Sequence, residues 1–344
     1  MASKTGSSPN PGTKQGLSST IPTVAVADSP RGIWARLALG IGLGAVGSAL
    51  AVGVASFPLS SLLIRPRLKR LRQLRSPHLR ARIERAGLVV KDVEFTSFDS
   101  TRLSGWWLEH SKTSPTVIVV HGVKQNRTDV VRAALLLRRA GFNALLFDGR
   151  GHGNSGGKYV TYGFYERRDV EAAIQWLIGE AGVDPGLIGL AGESMGAAIS
   201  LQVAASNPSI RAVWADSPFA SLQRVASEFV QKVTHLPAAV LSPLLWTTLR
   251  VANYRGNFDV ETVDPLALAS KITCPVFMTH GTADQLISVE HSRNIYEKLA
   301  GKKELWLVEG AAHARAARFA RTEYADRIVR FFKKNLVPRE GSKD

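Results

Sequence analysis

The sequence predicts an α/β domain built on a mostly parallel central sheet with helices on both faces. Three observations predict it. Short apolar runs alternate with helical stretches over residues 88–337, the pattern of strands joined by crossover helices. The first two runs, Val93–Phe98 and Leu103–Leu108, flank Asp99-Ser100-Thr101 and read as an antiparallel hairpin. The apolar run Leu187–Ala191 meets a helical run, Ala197–Ala205, across Gly192-Glu193-Ser194-Met195-Gly196. That is a strand, a tight turn and a helix.

Residues 1–30 are rich in Ser, Pro, Gly and Thr without apolar periodicity, the composition of a disordered tail. From Leu37 to Ile64 no residue is charged. Leu37–Phe57 would span about 31 Å as a helix, the thickness of a bilayer core. Trp34 and Arg36 stand at its entry, and its glycines suit lipid better than water. Residues 31–64 are therefore expected to be a transmembrane anchor. A signal peptide cut after Ala55 and a buried helix are the alternatives. Residues 65–87 carry Arg65, Arg67, Lys69, Arg70, Arg72 and Arg75 between Leu68, Leu71, Leu74 and Leu79. A basic helix on an anionic headgroup surface fits them, as does a solvated linker helix.

The soluble domain is expected over 88–337, with a short tail at 338–344. After the hairpin, Thr116–Val120 is a β-branched run, so a strand buried on both faces. A helix is predicted over about 128–140, then a strand at Ala144–Phe147 and the glycine-rich loop Asp148–Gly157. A helix over about 165–180 leads to the turn at Ser194. Strands follow at Ala212–Ala215, Pro275–Thr279 and Glu304–Val308, with helices near 289–299 and 322–335. Between the first two of these strands lies a helical stretch, 221–251. It belongs to a lid insertion, about 219–268. Phe219, Phe229, Val233, Leu236, Val240, Leu241, Leu244, Leu245 and Trp246 give it an expected apolar underside, or else pack as ordinary core. An apolar lid would favour acyl or aromatic substrates over sugars.

The net charge of +16 first suggests nucleic acid, but its distribution excludes that. Residues 1–91 hold 14 Lys and Arg against 2 Asp and Glu, whereas residues 92–344 hold 30 against 26. The basic excess belongs to the N-terminal segment, and the domain is nearly balanced. The lone cysteine, Cys274, excludes an internal disulfide and reads as a packed thiol.

In a doubly wound sheet, reactive groups gather at the carboxyl ends of the strands. Ser194 ends one strand. Asp284 follows another, in His280-Gly281-Thr282-Ala283-Asp284, and His313 a third, in Glu309-Gly310-Ala311-Ala312-His313. A serine hydroxyl needs a base at neutral pH, and imidazole is one. A buried carboxylate fixes the imidazole tautomer and stabilises the imidazolium. Ser194, Asp284 and His313 are the expected catalytic residues. The amide of Met195, at the helix start, is placed to donate to an oxyanion. Asp216, after the strand at 212–215, is the other position for the acid. His121, His152 and His280 are expected to tie down loops, and Asp148 and Arg150 to brace the glycine-rich loop. His78, His110, His235 and His291 show no ligand spacing, so no metal is expected, and no cofactor is implied.

The order Ser, Asp, His resembles that of the α/β-hydrolases. The resemblance covers about residues 90–336. It rests on the Asp148–Gly157 loop, the Gly192–Gly196 turn, His280-Gly281-x-x-Asp284 and the Gly310–His313 turn. Within that superfamily the chain resembles the membrane-anchored, Bem46-like serine hydrolases related to dienelactone hydrolase. The resemblance implies an α/β-hydrolase fold and an oxyanion hole formed by the amides of Val123 and Met195. Val123 is followed by Lys124-Gln125-Asn126-Arg127, a polar run that would crowd or gate the acyl pocket. The implied reaction is hydrolysis of a small-molecule ester, thioester or amide through an acyl-serine. An acyltransferase would use the same triad. The rival class is a membrane-tethered interaction protein on an inactive scaffold. The cations after the apolar run outnumber Arg31 and Arg36 before it. That places the N-terminus outside and the domain in the cytoplasm.

Overall fold

A computed structural model describes residues 50–65, 79, 81, 83–85 and 87–337. The expected tail at 1–30, the first part of the expected span and most of the basic segment lie outside the described residues, as does the tail at 338–344. The sheet is an eight-stranded one. Its members are β1 (Lys91–Thr96), β2 (Arg102–Leu108), β3 (Thr116–Val120), β4 (Asn143–Phe147), β5 (Ile188–Glu193), β6 (Ala212–Asp216), β7 (Val276–Gly281) and β8 (Lys303–Val308). The spatial order is β1-β2-β4-β3-β5-β6-β7-β8. β1 and β2 form the antiparallel hairpin, β2 runs antiparallel to β4, and every other pairing is parallel. The strand order reverses at β3, which lies between β4 and β5, and sheets of this kind hold their sites at the carboxyl edge of such a switch point.

The longer helices after β3 are α1 (Arg127–Arg139), α2 (Glu166–Gly179), α3 (Met195–Ser206), α4 (Leu222–Thr234), α5 (Ala238–Gly256), α6 (Val289–Lys298) and α7 (Arg321–Leu336). α3 has no polar face. Ten of its residues, from Met195 to Ala204, are buried, because it lies under β5 and β6 with α2 and a short helical turn at Pro265–Leu268 covering it. One core lies on this face, around Ile118, Leu145, Ile174, Leu190 and Met278. The other packs α1 and α7 on the opposite face, around Val119, Leu146, Trp214, Phe277 and Phe332. Trp214 and Phe277 stack there at 4.2 Å between ring centroids.

The predicted helical stretch 221–251 is two helices. His235 ends α4 in the left-handed conformation (φ 57°), and Pro237, which lacks an N–H, starts α5. The expected apolar underside divides. Leu222 and Ala226 start a stripe on α4 that continues through Phe229 and Val233 at helical spacing. Leu222 packs with Phe219, Leu249 and Phe258 in a third core, but Phe229 is 50% exposed and Val233 63%. The outer half of α4 and the start of α5 project beyond the core that buries the inner half, so Leu236, Val240 and Trp246 are exposed too. α4 is pinned near its middle by Glu228, bonded to His291 Nε2 at 2.7 Å. At its end, Lys232 donates to Gln285 Oε1 at 2.8 Å.

Residues 50–64, the last part of the expected span, form a helix. Ser56, Ser60 and Ile64, four apart, are fully buried. Val160 N donates to Ile64 O at 2.9 Å and Tyr162 Oη to Leu63 O at 3.1 Å. Arg255 Nη1 donates to Phe57 O, Ser60 Oγ and Ser61 Oγ. This part of the run therefore docks on the domain by a narrow serine stripe, while Leu50, Val54, Phe57 and Leu62 remain exposed. Among the described residues no helix is long and apolar enough to cross a membrane.

Candidate active site

β5 delivers the chain into Ser194 at φ 54°, ψ −115°, a region that costs a non-glycine residue about 1–3 kcal/mol. The flanking glycines permit it. A Cβ on Gly192 would lie 2.3 Å from Gly196 C, and one on Gly196 would lie 2.2 Å from Val120 O. Ser194 N donates to Asp216 O at 2.7 Å. The turn is thus held down to β6 while its side chain stands above the sheet edge.

The loops after β7 and β8 are zipped to each other. Thr282 N donates to Val308 O and Ala283 N to Ala311 O, both at 3.0 Å, and Gly310 N donates to Thr282 Oγ1 at 2.8 Å. This brings residues far apart in sequence into one line. His313 Nε2 lies 2.8 Å from Ser194 Oγ, and His313 Nδ1 lies 2.7 Å from Asp284 Oδ2. An ionised carboxylate only accepts, so Nδ1 carries the hydrogen and Nε2 is free to take the serine proton. Burial would raise the Asp284 carboxyl. Hydrogen bonds from His280 and His313 outweigh it and hold the group well below the usual carboxylate range.

Asp216 does not face His313. It sits in register with Glu193 across β5 and β6, and Ser217 Oγ donates to it at 3.0 Å. Burial, with the nearby Glu193 carboxylate, pushes Asp216 up to about 8, and burial pushes Glu193 up to about 7. Asp216 is therefore mainly protonated at pH 7.

Val123 follows the end of β3, and Met195 opens α3, where the first amides have no helical acceptor. The side chains of the polar run after Val123 have separate partners. Gln125 Oε1 accepts from Gly122 N at 2.7 Å. Asn126 and Asp129 form a capping box on α1. Arg127 reaches inward to Ser104 Oγ at 2.9 Å. Only Lys124 is exposed. Gln125 stays beside the Ser194 turn, Arg127 is held by Ser104, and of this run only Asn126 is used by the cap of α1. The signal for it, Asn and Asp three apart before an apolar run, was present in the sequence.

His121, His152, Asp148 and Arg150 brace the glycine-rich loop. His121 Nε2 accepts from Gly149 N at 2.9 Å, so its Nδ1 donates to Gly122 O at 2.8 Å. Burial pushes His121 down to about 4 and, helped by His121, His152 down to about 3. Both stay neutral. Asp148 accepts from the amides of Arg127 and Asn154. Arg150 binds Asp169 through two nitrogens, at 2.8 and 2.7 Å, and Asp99 at 2.9 Å.

Two family models match the chain. One describes X-Pro dipeptidyl-peptidases of the S15 family, over residues 96–240. The other describes the C-terminal part of BAAT and acyl-CoA thioester hydrolases, over residues 170–317. An uncharacterized protein of Bacillus subtilis, YqkD, is 33% identical over 231 residues, which are 67% of this chain and 74% of that protein. The α/β hydrolase domain-containing protein WAV2 of Arabidopsis thaliana is 25% identical over 63% of this chain and 69% of its own. Among solved structures, the esterase Pf2001 of Pyrococcus furiosus superposes with a TM-score of 0.61 at 28% identity, covering 74% of this chain and 96% of the esterase. With the sheet order, the strained turn at Ser194 and the site at the carboxyl edge, these similarities identify the chain as a hydrolase that belongs to the α/β-hydrolase superfamily.

Proposed function

We propose that the chain is a serine hydrolase that cleaves a carboxylic ester, thioester or amide through an acyl-serine. One observation carries the reading, the line of hydrogen bonds from Ser194 Oγ through His313 to Asp284 Oδ2, at 2.8 and 2.7 Å. Ser194 Oγ attacks the acyl carbon as His313 Nε2 takes its proton. The carbonyl oxygen becomes an oxyanion facing the amides of Val123 and Met195. The proton passes from His313 to the leaving group, which departs as an alcohol, thiol or amine. Water then enters, gives a proton to His313 and releases the acid and the free serine. The esterase likeness and the acyl-CoA thioester hydrolase match support a small acyl substrate with an oxygen or sulfur leaving group. Labelling with a fluorophosphonate probe tests the reading. The native chain is expected to react once per molecule, and Ser194→Ala, folded by circular dichroism, to lose labelling and turnover together. Undiminished turnover by that variant would sink the assignment.

In the same reading the uncharged run is an uncleaved anchor, with the N-terminus outside and the hydrolase domain cytoplasmic. Residues 37–49 alone would rise about 20 Å as a helix, short of a bilayer core. Leu50, Val54 and Phe57, later in the same uncharged run, are exposed. The cations from Arg65 to Arg82 would each hold the domain close to an anionic leaflet by about 1 kcal/mol. On sealed, right-side-out vesicles the domain is expected to resist protease. Its digestion without opening the membrane would reverse the orientation, and a mature N-terminus near Ser56 would remove the anchor.

A further inference from the structure

His280 is the last but one residue of β7, and its wholly buried side chain touches the proposed acid. His280 Nε2 lies 3.0 Å from Ile287 O and 3.2 Å from Asp284 Oδ2. Both partners only accept, so Nε2 carries a hydrogen shared between them. His280 Nδ1 lies 2.7 Å from Ser292 Oγ on α6, and in the neutral ring that nitrogen accepts the serine proton. Asp284 Oδ1 accepts from Leu286 N at 2.8 Å and Ile287 N at 2.9 Å. Oδ2 meets His313 Nδ1 as well as His280. Four N–H groups thus occupy the four lone-pair directions of one carboxylate. Three come from the turn that carries Asp284 or from the strand behind it, and only one comes from the base.

We propose that His280 is a positioning residue of the Ser194–His313–Asp284 triad, acting through the carboxylate oxygen that it shares with His313. This rests on the catalytic reading above. Two donors on one oxygen divide its charge, so each bond weakens the other. With the His280 N–H in place, Asp284 is fixed in rotation and draws moderately on the His313 ring. Without it, Oδ2 belongs to His313 alone, the imidazolium is stabilised further, and the carboxylate is freer to turn. The first change moves the acid limb of the pH–rate profile upward. The second lowers kcat while leaving substrate binding alone, because His280 lies behind the acid and not in the acyl pocket. Other titratable groups near this cluster are His291, paired with Glu228 on α4, and Asp216 on β6. None of them changes in the variants below.

His280→Gln and His280→Asn make a matched pair. The glutamine amide reaches the place of Nε2 and keeps the donor to Asp284. The asparagine amide reaches only the place of Nδ1. Each is made in the full chain and assayed by kcat, KM and the pH dependence of kcat/KM on a short activated ester. His280→Asn is expected to lower kcat about tenfold at unchanged KM and to raise the acid limb by about half a pH unit. His280→Gln is expected to stay within about threefold of the native chain, with the limb in place. Ser292→Ala, which removes only the acceptor-side partner, should leave the limb unmoved. The downfield proton of the His313–Asp284 hydrogen bond, read by NMR in the resting protein, is expected to shift in the asparagine variant alone. That signal is readable without turnover. Equal losses in both variants with an unmoved limb and an unmoved proton would make His280 a packing residue and overturn the proposal. Turnover that survives Ser194→Ala would instead overturn the catalytic reading.

Discussion

Asp284→Asn is expected to lower kcat by about four orders of magnitude, whereas Asp216→Asn should cost less than about tenfold. The size of the first effect follows from the four donors around Asp284. An asparagine has one oxygen and one NH2 group. If the oxygen faces Leu286 N and Ile287 N, the NH2 group confronts His313 and His280. His313 must then present an unprotonated Nδ1, so Nε2 carries the hydrogen and cannot take the serine proton. If the amide flips, the NH2 group confronts the two backbone amides and the turn opens. Neither arrangement supports the base. Asp216 is different. Burial and Glu193 already keep it largely neutral at pH 7, so asparagine replaces a group of the same charge and shape. Steady-state kinetics on both variants check the ranking, and the reverse order would transfer the acid to Asp216. Thermal unfolding adds a second readout. The Asp216 carboxyl is raised above its unfolded value, so its contribution is complete below about pH 4 and lost as pH rises through about 8. Asp216→Asn should therefore flatten the fall in Tm over that window.

Arg150→Met is expected to destabilise the domain by about 3–5 kcal/mol, the cost of leaving a buried charge without its partner. Arg150 is 4% exposed and Asp169 fully buried, and the pair is bidentate. The guanidinium also stacks over Tyr165 at 4.9 Å and Phe98 at 5.6 Å, contacts that methionine keeps only in part. For a domain of this size the loss corresponds to a fall in Tm of about 10 °C. Burial already raises the Asp169 carboxyl against the pull of Arg150. Without Arg150 it rises further. A raised folded value means stability lost as pH rises, so the deficit should be larger at pH 8 than at pH 5. Differential scanning calorimetry at the two pH values checks both statements. A deficit independent of pH would mean that the lost stacking, not the stranded carboxylate, sets the cost.

The strands and most helices were legible because their signals are local. Val117–Val120 and Ala212–Ala215 are apolar throughout, as strands covered on both faces must be. The Ser194 turn was legible because only glycine fits beside it, and α1, α6 and α7 followed their apolar spacing. The break between α4 and α5 was also written locally, in His235-Leu236-Pro237, but the long apolar run around it hid the stop. The burial of the lid's apolar stripe was not legible for a different reason. The stripe is continuous in sequence, and nothing in it says where the supporting core ends. Phe229 and Val233 are exposed because their helix outruns Phe219 and Phe258. The same holds for residues 50–64, whose serines look like filler until Arg255, nearly two hundred residues on, bonds to them.

The sequence by itself determined which chemical groups stand at the strand ends. Ser194, Asp284 and His313 each follow a strand, and strand ends are set by short-range pattern. Only the tertiary structure decided which carboxylate meets His313 and in what charge state. Asp216 and Asp284 follow adjacent parallel strands, and the sequence favoured Asp284 with Asp216 as the other position for the acid. The choice lies in the loops. Hydrogen bonds from Thr282 and Ala283 to Val308 and Ala311 carry the Asp284 turn against the His313 loop, whereas Asp216 is left in register with Glu193, where burial keeps it protonated. Ionisation depends on the distances to other charges and to water. Those distances are properties of the packed molecule and of no segment of the chain.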